Sequence, residues 1–264
     1  MWAGGKTKVL KHHSPFLPSS CQSYSEPFFG GGAMYLYVQE NLRPEVCRIS
    51  DTNEGIIRIY RSVKSDLGSF LGELDPLCER FLALSKPDRK KFYYEVRHQH
   101  AYDFEGWNPA KEAATLYFLM KTGFNGVWQI NKNTNGRYGT PSGLLEQTTS
   151  VYDLDCVKNW HCLLQNTEVF CGDYRDCPTS ELNYLDPPYR VSATSYSSGW
   201  GDNDLVNLLE WAKTVEGKVL LCNRDDGSGF FDKWSGDFLS HTFPMSYTVG
   251  RSGATTSSEV LLVR

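Results

Sequence analysis

The chain has 264 residues, 40% hydrophobic and 14% aromatic, which suits one large α/β domain or a domain carrying an inserted lobe. Its formal charge of −4 does not exclude a polyanionic partner, because residues 1–25 carry Lys6, Lys8 and Lys11 without an acid and residues 113–145 carry Lys121, Lys132 and Arg137 without one. Eight cysteines with no C-x-x-C pair argue against structural zinc or a disulfide framework, and no signal peptide or membrane-spanning run is visible, so a soluble, intracellular protein with free thiols, no metal and no membrane partner is expected.

In chain order, Trp2-Ala3-Gly4-Gly5-Lys6 makes a Gly-Gly turn before residues 7–10, which open a short helix. A short strand ends near Glu26, a glycine loop spans Gly30-Gly31-Gly32, and a helix begins over residues 34–38. Residues 47–51 form a second strand ending in an acid. Thr52-Asn53 then cap a helix whose Ile56, Ile57, Ile59, Tyr60 and Val63 recur at helical spacing. Residues 66–125 are mostly helical in pattern. Residues 123–143 hold five glycines, one proline and no acid, the composition of a long functional loop or hairpin. Strand signals return at 168–174 and 182–189, a helix follows at 202–214, and strands at 218–223 and 259–263 complete the pattern. Such alternation predicts a mostly parallel sheet that binds its ligand at the strands' carboxyl ends. Glu26, Asp51, Asp173 and Asp186 all fall at those ends.

Asp186-Pro187-Pro188-Tyr189 is the most specific stretch. Two prolines cannot continue a strand, since each lacks an N–H and has φ fixed, so they hold a rigid corner that presents Tyr189 beside Asp186. The glycine loop is neither G-x-G-x-x-G nor a P-loop. An acidic rim with a glycine loop and no phosphate cradle suits a cofactor with a ribose and a positive charge, and S-adenosylmethionine fits that description.

Taken together, Trp2–Lys6 (WAGGK), Glu26–Gly32 (EPFFGGG), Ser50-Asp51, Phe124–Asn131 (FNGVWQIN), Thr140–Gly143 (TPSG) and Asp186–Tyr189 (DPPY), with Cys222–Asp225 (CNRD), resemble the Dam-type, D12-class DNA adenine N6-methyltransferases in this order along the whole chain. The resemblance implies a Rossmann-like α/β methyltransferase sheet over residues 1–65 and 147–264. It also implies an inserted, mainly helical DNA-recognition subdomain over 66–146. The implied cofactor is S-adenosylmethionine, leaving S-adenosylhomocysteine, and the implied partner is double-stranded DNA bound by a monomer in the cytoplasm or nucleoid, or in a host cell for a viral enzyme.

Residue by residue, the resemblance implies cofactor contacts for Trp2, Lys6, Glu26, Phe28, Gly30, Asp51, Asp173 and Asp186. Asp186, Pro187, Pro188 and Tyr189 are the implied catalytic group for an extruded adenine. Phe124, Asn125, Gln129, Asn131, Arg137 and Pro141 are implied on the DNA face. Each has a plainer alternative: Trp2 and Phe28 as core, Lys6 as surface charge, Asp51 as a helix cap, Phe124 as hairpin core.

Three departures bear on specificity. Gln129 stands where the family has arginine, and glutamine pairs bidentately with adenine rather than guanine. Met1 stands where GATC readers have lysine, so a native or a truncated start is left open. Leu144-Leu145-Glu146 replaces basic or aromatic residues. The expected site is therefore GATC or a related or relaxed sequence. Competing readings are a degenerate homologue that binds DNA or cofactor without turnover, and a methylase of N4-cytosine, RNA or a protein amide.

Overall fold

The computed structural model describes residues 7–143, 149–190, 199–247 and 255–264. The elements are α1 (Thr7–His13), β1 (Ser23–Glu26), α2 (Ala33–Asn41), β2 (Val46–Asp51), α3 (Glu54–Ser65), α4 (Leu67–Ala83), α5 (Lys86–Tyr102), α6 (Pro109–Thr122), α7 (Leu154–Leu163), β3 (Thr167–Cys171), β4 (Leu182–Leu185), α8 (Asp202–Ala212), β5 (Lys218–Asp225), β6 (Leu239–Tyr247) and β7 (Thr255–Val263). The seven strands form one sheet in the order β3-β2-β1-β4-β5-β7-β6. β1 pairs in parallel with β2 and β4, β4 in parallel with β5, and β7 runs antiparallel between β5 and β6. The class is therefore α/β, as the alternation of strands and helices predicts.

Two elements lack a clear signal in the sequence. α7 is capped by Asp153, whose side chain accepts the Cys156 N–H. β6 carries Pro244, which argues against a strand in sequence but is tolerated on an edge strand. β4 stops at Leu185, so the prolines lie wholly outside it, and β7 begins four residues earlier than its apolar stretch suggests.

The described residues divide into two compact units, one within Asn53–Cys171, the other within residues 7–52 and Gly172–Arg264. In the helical unit, α3 starts at Asn53, whose Oδ1 accepts the Ile56 N–H, a cap that contributes about 1 kcal/mol. It buries Ile56, Ile57, Ile59 and Val63 on one face, at roughly 1.5–3 kcal/mol for each side chain. Phe118 of α6 meets Phe81 and Phe92 edge-on, which joins α4, α5 and α6. In the sheet unit, Leu185, Val219, Leu221, Val260 and Leu262 pack with Leu205, Leu208 and Leu209 of α8 in one core. Among the described residues no helix is long and apolar enough to cross a membrane.

Candidate active site

The strand order turns back between β1 and β4, and such a switch point opens a crevice at the carboxyl ends of the strands. Glu26 ends β1, Asp51 ends β2 and Asp186 follows β4, so three of the four rim acids stand on neighbouring parallel strands. Glu26 is 3% exposed, and the Tyr24 hydroxyl donates to its Oε2 at 2.7 Å. Burial, with Asp186 adding a like charge against the relief from Tyr24, pushes its carboxyl up to about 8.

Asp51 does not cap α3, since Asn53 does. Its Oδ2 accepts the Gly30 N–H at 2.9 Å, and the Phe29 N–H reaches the Ser50 carbonyl at 2.9 Å, which lays the glycine loop across the end of β2. Gly30 and Gly32 have φ of 48° and 62°, a conformation that a side chain disfavours. Phe28 stacks on Tyr174 at 5.5 Å and meets Trp200 edge-on at 5.6 Å, forming a half-buried aromatic wall. Asp173 turns toward its own loop: it accepts the Arg175 N–H and pairs with the Arg175 guanidinium at 2.6 Å, which holds its carboxyl below the usual range. Trp2 and Lys6 lie outside the described residues.

The loop after β4 is braced from behind. Cys222 Sγ lies 3.4 Å from Asp186 Oδ1, and the fully buried Asn223 donates to the Pro188 carbonyl at 3.4 Å while accepting the Arg190 N–H at 3.1 Å. Arg190 pairs with Asp202 and Asp226, each at 2.8 Å, and the Tyr189 hydroxyl donates to Glu259. Asn223 belongs to the CNRD stretch. Tyr174, Trp200, Arg190 and Glu259 carry no motif, and only their packing reveals them.

In the helical unit, residues 123–143 form a hairpin with antiparallel bridges Gly123–Ser142 and Ile130–Tyr138. α5 holds it through Tyr93, which donates to the Thr140 carbonyl, and Arg97, which donates to the Gly139 and Thr140 carbonyls. Asn125, with φ of 52°, turns the chain so that Phe124 stays 43% exposed. Gln129 and Pro141 are exposed, and Ile130, absent from the sequence-based set, is 65% exposed. Asn131 is half-buried and its side chain accepts the Asn133 N–H, shaping the hairpin tip. Arg137 is also turned inward: it pairs with Glu112, which holds Arg58 as well, and lies 3.7 Å over the Phe104 ring. Beside it, burial and then the charges of Arg137 and Arg58 push His100 down to about 3, so this imidazole is neutral.

Residues 2–243 match the D12 class N6 adenine-specific DNA methyltransferase family. The chain belongs to this family. It is 32% identical over 249 residues to the type II methyltransferase M.MjaIII of Methanocaldococcus jannaschii, covering 88% of this chain and 85% of that one. It is 28% identical to the type II methyltransferase M.CviBI of Paramecium bursaria Chlorella virus NC1A, over 83% and 80% of the two chains. A DNA adenine methylase of Haemophilus influenzae is 25% identical over 85% and 78%. The protein is thus an adenine-specific DNA methyltransferase. That membership selects the adenine amine over the N4-cytosine, RNA and amide alternatives, and enzyme over degenerate binder. The methyl donor that the family implies is S-adenosylmethionine.

Proposed function

We propose that this methyltransferase transfers a methyl group to the N6 of an adenine extruded from double-stranded DNA, in a site related to GATC or more relaxed. The observation that carries the reading is the junction of Asp186 with a rigid Pro-Pro-Tyr corner beside Glu26, on adjacent strands at the sheet's switch point. The rim fits S-adenosylmethionine: a cationic group beside Glu26 offsets the cost of charging its buried carboxyl, and Asp51 beside a side-chain-free Gly30 suits a ribose. Bound there, S-adenosylmethionine supplies the electrophilic methyl carbon and leaves as S-adenosylhomocysteine.

The adenine amine is conjugated with its ring and is a weak nucleophile. Asp186 and the Pro187 carbonyl accept hydrogen bonds from its two N–H groups, turning the nitrogen lone pair outward, while Tyr189 stacks on the base; the proton shed by the methylated amine leaves along the Asp186 hydrogen bond to solvent. Reaching those acceptors requires the base to leave the duplex, at a cost of a few kcal/mol. Phe28, with Tyr174 and Trp200, walls the cofactor pocket, Asp173 holds the turn that carries Tyr174, and Trp2 and Lys6 complete the cofactor contacts.

The helical unit reads the DNA. Phe124, Asn125, Gln129 and Ile130 form the contacting surface, with Pro141 at its edge, while Asn131 and Arg137 shape the hairpin behind them. Residues 1–65 with 147–264 act as the methyltransferase domain, and 66–146 as the recognition subdomain. The protein works inside a cell, as a monomer on DNA without metal. Its type II relatives support a role beside a restriction nuclease, as a protecting methylase.

Asp186→Ala is the direct test. It should lower methyl transfer by at least ~10³-fold with the fold intact by circular dichroism; substantial residual transfer would show that Asp186 is not the acceptor.

A further inference from the structure

We propose that Glu259 is a positioning residue, which fixes the plane of the Tyr189 ring through its hydroxyl. The inference rests on the reading of Tyr189 as the residue that stacks on the extruded adenine. The Tyr189 hydroxyl lies 3.0 Å from one carboxylate oxygen of Glu259 and 3.3 Å from the other. Glu259 is fully buried, on β7, a strand paired on both sides and so held rigidly. Burying a carboxylate is costly unless it is hydrogen-bonded, and a charged acceptor makes the bond from a phenol stronger. Arg224 stands directly across the β5–β7 ladder from Glu259, which puts the two charges on one face of the sheet.

The backbone around Tyr189 is pinned separately. Asn223 on β5 holds the Pro188 carbonyl on one side and the Arg190 N–H on the other. That bracket fixes the Cα of Tyr189, and the Glu259 bond, at the far end of the ring, restrains its χ1 and χ2. A stacking platform needs both, because a tilted ring loses contact with the base and lets the amine drift from Asp186. No sequence motif includes Glu259, which lies 70 residues downstream of Tyr189.

The test compares Glu259→Gln, Tyr189→Phe and the double variant in the full-length protein. Three quantities are read: affinity for S-adenosylmethionine, the single-turnover rate of methyl transfer, and the fluorescence of DNA with 2-aminopurine at the target adenine. Each single variant should bind S-adenosylmethionine as the wild type does, transfer roughly tenfold more slowly and show a larger fluorescence rise, because stacking on Tyr189 quenches 2-aminopurine. The double variant should be no slower than the slower single one, because both substitutions remove one link. Multiplying effects, or a Tyr189→Phe rate equal to wild type, would overturn the proposal. If Glu259→Gln does not fold, Tyr189→Phe decides alone, an unchanged fluorescence rise overturning the link and a larger one supporting it. A wild-type rise to the intensity of free 2-aminopurine contradicts the stacking reading itself. An equal rise in wild type and both single variants overturns only the role of Glu259.

Discussion

Glu26 shows how a single buried group can register folding. Its carboxyl sits at the end of β1 with almost no solvent, and burial raises its pKa to about 8 from the ordinary 4.5. The native state therefore holds a proton there that the unfolded chain has already released. Between those two values stability falls as pH rises, because the unfolded state binds fewer protons. Glu26→Gln removes the titration, so its melting temperature should decline less than that of the wild type between pH 5 and 8, by about several degrees. Parallel melting curves for the two proteins across that window would mean that Glu26 is charged in the folded state throughout. In contrast, Asp173 is held below the usual carboxylate range by Arg175 at the surface and should not affect this window.

At the scale of the element, the hairpin of residues 123–143 is defined by what anchors it. Tyr93 and Arg97 grip its Gly139–Thr140 backbone, and Arg137 ties it to Glu112, leaving Phe124, Gln129 and Ile130 outward. Gly139 is the tightest point: a Cβ there would lie 2.4 Å from Asn131 Cβ and 2.9 Å from Thr134 Oγ1. Gly139→Ala must therefore displace the segment that carries Gln129 to Asn131, at a cost of roughly 1–3 kcal/mol. DNA affinity in a titration at fixed salt should fall about tenfold with S-adenosylmethionine affinity unchanged. Unchanged DNA affinity would remove this hairpin from the recognition surface. The hairpin's existence was legible in its glycine, asparagine and proline content. Its anchoring was not, since Arg137 reads in sequence as a DNA-facing cation and only its burial against Phe104 and Glu112 turns it inward.

For the whole molecule, the alternation of apolar runs and acid-ended strands conveyed the parallel half of the sheet, because strand ends carry the chemistry and so have distinctive residues. The antiparallel half was harder to read. β6 contains a proline, and the first residues of β7 are polar, so neither declares itself until β5 supplies a pairing edge. The same holds for the site: DPPY, the glycine loop and the CNRD stretch are local motifs, whereas Glu259, Tyr174 and Trp200 support them from distant segments. Packing between segments leaves no spacing pattern. The most direct measurement incubates the purified protein with S-adenosylmethionine and unmethylated genomic DNA and maps modified bases by single-molecule sequencing. N6-methyladenine confined to one short motif, departing from strict GATC where Gln129 replaces arginine, is the expected result. Methylated cytosine, or no mark at all from protein that still binds S-adenosylmethionine, would contradict the account.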